Sequence, residues 1–108
     1  VLGHTRCGAV KGACDGVELG NLTTLLHKIQ DAIALELETL GDRTAANSAF
    51  VERVAELNVL LVKSQIMQRS PLLAEMVRKS EIALVGGMYD VESGAVEFYD
   101  SRMLIGAA

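Results

Sequence analysis

Basic surplus, aromatic side chains, long apolar runs and cysteines are all scarce in this sequence, and each shortage closes off a class of function. The formal net charge is -4. Binding to phosphate backbones rests on Lys and Arg neutralising charge, and no basic stripe with interleaved aromatics is present, so nucleic acid is not an expected partner. No apolar run approaches the ~18 residues of a membrane span, and no membrane contact is expected from this segment. Two cysteines make no disulfide framework. Cys7 and Cys14 on one helix would stand roughly 10 Å apart along its axis, beyond the ~7 Å Cα separation that a disulfide tolerates. A reducing cytoplasm is the expected compartment.

Aromatics make up 4% of the chain and Trp is absent, while hydrophobic residues reach 50%. That apolar content is almost entirely Val, Leu, Ile and Ala. A chain of 108 residues is one domain at most, and one this aliphatic is expected to bury surface against another copy or against further sequence.

The order of elements reads as α/β with little sheet. Val1-Leu2 looks like the tail of a buried strand ended by Gly3. A short helix of small residues spans Cys7 to Cys14 and closes at Asp15-Gly16. Asn21 is a good N-cap for an amphipathic helix in which Leu22, Leu25, Leu26, Ile29 and Ile33 repeat at three and four, running to about Leu40, where Gly41-Asp42-Arg43 breaks it. A second long helix is expected from about Ala45 to Gln68. Phe50, Val54, Leu57, Leu61 and Met67 lie near one face, and Val59, Leu60, Val62 and Ile66 widen it until burial on more than one side follows. Ser70-Pro71 opens a third helix to about Lys79. Ile82 to Val85 reads as a short apolar strand. The turn Asp90-Val91-Glu92-Ser93-Gly94 and the alternating Ala95 to Tyr99 complete a hairpin.

Chemistry concentrates at the first corner. Neutral imidazole and thiolate are good zinc donors, and the two residues between His4 and Cys7 let both side chains turn onto one ion from a strand-to-helix corner. In open α/β sheets, sites form beyond the C-terminal ends of strands. Alone, His-x-x-Cys is a weak signal, because a free Cys is usually just buried. Cys14 is too far along the helix to share an ion with Cys7 and reads as a core residue. His27 reads as a surface imidazole. Gly86-Gly87 lacks the following helix and Lys of a phosphate loop. The four methionines do not cluster at one helical spacing and read as packing residues. Glu36 and Glu38, two apart, face different sides and are not a carboxylate pair.

The segment GHTRCGAV, followed some eighty residues later by IALVGGMYDVESGAVEF, resembles the β-class carbonic anhydrases. In that family a strand ends in Gly-His, a ligand Cys follows, and Cys-Gly starts a small-residue helix. Asn58-Val59 and Ser70-Pro71 also fall where the family pattern has them, so the resemblance covers essentially the whole chain. It implies a partial β-carbonic-anhydrase-like fold: a truncated parallel sheet core flanked by long helices, with a C-terminal hairpin. It implies zinc as cofactor, carbon dioxide and bicarbonate as substrates, and a homodimer or higher oligomer. His4 and Cys7 match two of the family's three protein zinc ligands.

The third ligand belongs to a Cys-x-Asp-x-Arg motif that this sequence lacks. Asp100-Ser101-Arg102 carries the Asp-Ser-Arg letters but has Phe98 in place of the Cys, and reads as the exit from the last strand. Asp42-Arg43 reads as a loop. The expectation is therefore that residues 1–108 form the C-terminal portion of a single such domain, carry two metal ligands and no catalytic residue, and are inactive alone. The parent would be a lyase, either a soluble dimer or a cytoplasmic domain on an anion transporter. Hydrolysis of carbonyl sulfide or carbon disulfide on the same fold, and a non-catalytic binding or regulatory module derived from it, are the alternatives.

Overall fold

A computed structural model describes residues 1–100. It orders the chain as β1 (Leu2–His4), α1 (Gly8–Cys14), α2 (Leu22–Leu35), α3 (Ser48–Arg69), α4 (Pro71–Arg78), β2 (Gly87–Tyr89) and β3 (Val96–Phe98). The sheet runs β1-β2-β3. β1 lies parallel to β2, with His4 opposite Tyr89, and β2 lies antiparallel to β3, with Tyr89 opposite Val96. The expected α/β architecture and C-terminal hairpin are both present. Ser101, Arg102 and Met103 lie outside the described residues.

α3 is the axis of the domain. It packs against α1, α2, α4, β1 and β2, which is what its wide apolar surface requires. Phe50, Val51, Val54 and Ala55 on α3 join Val10 and Ala13 of α1 and Leu26, Ile29 and Ala32 of α2 in one buried cluster. Asn47 caps α3 by accepting from the Phe50 N–H at 3.3 Å. Ser70 ends α3 in an extended conformation and starts α4, its Oγ accepting from the Leu73 N–H at 3.2 Å. Pro71 follows at the first helical position, where its missing N–H costs nothing.

Four sequence expectations are corrected. β1 is not buried: among the described residues it pairs with β2 alone, and Leu2 is 61% exposed. Asn21 is itself helical in backbone and its side chain caps nothing; the Thr23 hydroxyl instead accepts from the Leu19 N–H at 2.8 Å. α2 stops at Leu35 rather than near Leu40, because Glu36 turns to an extended backbone. Its carboxylate then accepts from the Glu38 and Thr39 N–H groups at 2.7 and 3.0 Å. Finally, Ile82 to Val85 is not a strand. The ladder begins two residues beyond it, at Gly87, with Val85 O accepting from the Val1 amino group at 2.8 Å and Val1 O accepting from the Gly87 N–H at 2.9 Å.

The reason for that shift is steric. α3 lies so close to the sheet that a Cβ on Gly3 would sit 2.8 Å from Val59 Cγ2, and one on Gly86 would sit 2.9 Å from Val59 Cγ1. No side chain fits under Val59 at either position, and Gly87, which opens the ladder, is hemmed in from another quarter: a Cβ there would sit 2.9 Å from Glu97 O. At the other end of the hairpin, Gly94 adopts a φ of 75° and its N–H closes the turn on Asp90 O at 2.8 Å.

A buried charge pair braces the helical layer. Glu36 is 2% exposed. Arg43 Nη1 donates to its carboxylate at 3.2 Å and to Thr39 O at 3.0 Å, and Nη2 donates to Ile33 O at 3.0 Å. The guanidinium carbon stands 4.7 Å from the Phe50 ring centroid. Burial works against the Glu36 charge, but the hydrogen bonds from Thr39 and Glu38 and the Arg43 guanidinium outweigh it and hold the carboxyl below the usual glutamate value of 4.5. Lys63, also buried on α3, has its pKa lowered as well, but here the cause is burial, which disfavours the ammonium against the pull of Asp100, whose carbonyl it meets at 3.5 Å.

Two outcomes follow. Gly86→Ala is expected to lower stability by about 1–3 kcal/mol through overpacking, and Val59→Ala in the same chain should recover part of that loss. Urea midpoints of the single and double variants measure the coupling; strict additivity would mean that α3 does not rest on this glycine. A carboxyl with a depressed folded pKa stabilises above its unfolded pKa, and that contribution is lost as pH falls through the folded value. Wild type should therefore lose stability on acidification from near 4.5 downward, and Glu36→Gln should be less stable near neutrality with a flatter acid slope. Thermal midpoints across that pH range check both.

Candidate metal centre

β1 ends at His4, and the next three residues turn the chain into α1. Thr5 leaves the strand still paired, its N–H donating to Tyr89 O at 2.9 Å. Arg6 then adopts a φ of 55°, uncommon for a residue with a side chain. This left-handed step reverses the chain so that Cys7 becomes the N-cap of α1, its carbonyl accepting from the Lys11 N–H at 3.0 Å. Arg6 is tied to the hairpin turn by an ion pair with Glu92.

His4 and Cys7, the two residues singled out from the sequence, line the same cleft. Its volume is about 300 Å³, and its other walls include Ala55 and Glu56 of α3, Met88 of β2 and Glu97 of β3. The cleft is acidic: Glu52, Glu56, Asp90 and Glu97 border it, with Arg6 as the cation. Burial, then Glu97 and Glu52, push the Glu56 carboxyl above its usual value. Asp90 is drawn below its own, chiefly by the Glu92 N–H. The same two residues also border a second cavity of about 410 Å³, whose walls include Val1, Leu2, Leu25, Ile29, Val59 and Val62. The corner thus stands between an acidic cleft and an apolar one.

The donor set suits zinc. His4 Nδ1 lies 2.8 Å from Thr5 O. A carbonyl oxygen can only accept, so Nδ1 carries the ring proton in this bond and Nε2 keeps its lone pair for a metal. Cys7 is an unpaired, half-buried thiol. Imidazole nitrogen with thiolate sulfur is a common zinc donor pair. Among the described residues, no three of His, Cys, Asp and Glu come together to hold a metal. Cys14 is half-buried against the core cluster, and burial and then Asp15 raise its thiol pKa. His27 is exposed on α2.

Several residues that matter here carried no signal that sequence reasoning used. Thr5 and Arg6 stand between the two candidates, where the His-x-x-Cys spacing assigns them no role. Tyr99 buries a hydroxyl with no hydrogen-bond partner among the described residues, and burial, with Glu56 and Glu97 beside it, pushes its pKa up to about 12. Nothing short of the hairpin register would have brought Tyr99 to those carboxylates.

The carbonic anhydrase family model matches residues 1–96. A carbonic anhydrase of Candida albicans is 28% identical over 95 residues, covering 87% of this chain and 34% of that protein. Among solved structures, the β-carbonic anhydrase CafA of Aspergillus fumigatus superposes with a TM-score of 0.74 at 32% identity, over 94% of this chain and 47% of that one. One of two tetrameric β-carbonic anhydrases from Sordaria macrospora gives 0.69 at 27%, over 90% and 49%. The chain spans about half the length of those solved relatives and about a third of the curated one. With its Gly-His strand end, its Cys-led helix and its glycine-bearing hairpin in the same fold, the chain belongs to the carbonic anhydrase family and is a partial β-class member of it.

Proposed function

We propose that this chain supplies His4 and Cys7 as zinc ligands to a β-class carbonic anhydrase that interconverts carbon dioxide and bicarbonate. The observation that carries the reading is the His4 Nδ1 bond to Thr5 O, which leaves Nε2 as a donor on the corner that also holds Cys7. When bound, zinc supplies an activated water as nucleophile near neutral pH. This chain's part is to hold two donors, to offer an apolar wall that suits uncharged carbon dioxide, and to exclude water there with Leu25, Ile29 and Val59. The acidic groups on the other side favour a cation.

A catalytic zinc site needs three protein ligands and an open position. The third, in this reading, comes from a part of the same domain outside these 108 residues, which form its C-terminal portion. A cytoplasmic, reducing compartment keeps Cys7 reduced and free of disulfide. An oligomer covers the exposed Leu2, Leu37, Leu40, Leu72 and Phe98, and the tetrameric relatives from Sordaria macrospora support such an assembly.

Zinc per chain and thiol alkylation, measured together, test the ligand assignment. Added zinc is expected to slow alkylation of Cys7 and to leave Cys14 unaffected, and His4→Ala should abolish that protection. These residues alone should not hydrate carbon dioxide. Protection of neither thiol, or equal protection in His4→Ala, would overturn the assignment.

A further inference from the structure

Every polar group of Thr5 is engaged, and the three bonds run to two different places. Its N–H donates to Tyr89 O at 2.9 Å, and its hydroxyl oxygen accepts from the Val91 N–H at 3.1 Å. Both partners belong to the end of β2 and the turn that follows it. The third group, the Thr5 carbonyl, accepts from His4 Nδ1 at 2.8 Å. Thr5 therefore joins the hairpin to the imidazole. His4 is exposed, so packing does little to choose between its ring orientations or its two neutral tautomers. The hydrogen bond makes that choice, and only while the Thr5 carbonyl is held in place.

We infer that Thr5 is the positioning residue of the ligand pair: anchored to the hairpin by its N–H and hydroxyl, it holds its carbonyl where it selects the Nδ1–H tautomer of His4 and keeps Nε2 as the metal-binding nitrogen. The Arg6–Glu92 ion pair fastens the next residue to the same turn, so the hairpin braces both residues between the ligands. The last clause of the inference rests on His4 being a ligand. Tautomer selection stands on the geometry alone. Outer partners of this kind set ligand orientation and are commonly worth about ten- to a hundredfold in metal affinity.

The test compares wild type, Thr5→Val, Thr5→Ser and His4→Ala on the full chain. Nitrogen-15 NMR above the pH range of imidazole titration reads the His4 tautomer, amide exchange reads Val91, and a zinc titration reads affinity. Wild type and Thr5→Ser should both hold the Nδ1–H form. Thr5→Val should move His4 toward the mixture of a free imidazole, speed Val91 exchange about fivefold, and weaken zinc about tenfold. A wild-type ring in the Nε2–H form would overturn the inference. So would a Thr5→Val chain that melts at a lower temperature with its tautomer unmoved, because the hydroxyl would then be structural only. Wild type and Thr5→Ser decide the matter even if Thr5→Val fails to fold. Zinc binding in His4→Ala equal to wild type would instead sink the ligand assignment and leave the tautomer result standing.

Discussion

Val59 sits between two glycines, and the placement of the sheet on the helices follows from that contact. Its two γ-carbons face Gly3 and Gly86 at separations that leave no room for a Cβ on either. α3 therefore rests directly on the backbone of β1 and of the segment entering β2. Gly3 lies one residue before His4, so this contact also helps set how closely α3 approaches the candidate ligand corner. A methyl group at either glycine would move the strand end, and close packing leaves the interior little slack to absorb the movement.

The helical layer depends on a different device. α2 has no glycine or proline at its end, and its last turn is closed by Glu36 folding back over the Glu38 and Thr39 amides. That puts a carboxylate inside the domain, where a lone charge is costly. Arg43 answers it with a planar fork that also reaches two carbonyls and lies over Phe50. A Lys, with one compact ammonium, could not make that set of contacts. The loop between α2 and α3 is thus held from within, and Phe50 is held where it seats the first turn of α3.

These two supports leave the corner between β1 and α1 with chemistry on both sides. An acidic cleft and an apolar cavity meet at His4 and Cys7. The two residues between them are not slack chain. Thr5 bonds the hairpin and the imidazole, and Arg6 takes the left-handed step that brings Cys7 round. The hairpin braces the corner through both residues.

Much of this was legible from residue order. The three-four repeat of Leu22, Leu26 and Ile29, the Ser70-Pro71 boundary, the Gly94 turn and the pairing of His4 with Cys7 are local signals, written in residues a few positions apart. The close of α2, the start of β2, the exposure of β1 and the roles of Thr5, Arg43 and Tyr99 were not legible. The aliphatic pattern suggests a strand at Ile82 to Val85, yet the ladder begins at Gly87, where a Cβ would meet Glu97 O of β3. Asn21 had the right chemistry for a cap and the wrong backbone. By itself the sequence determined which segments form helices and that His4 and Cys7 stand on the corner between β1 and α1. Only the tertiary structure decided which backbone groups lie beneath Val59, which buried carboxylate meets Arg43, and which hairpin atoms hold Thr5, because each depends on segments brought together from far apart in the chain or on backbone angles that residue type does not dictate.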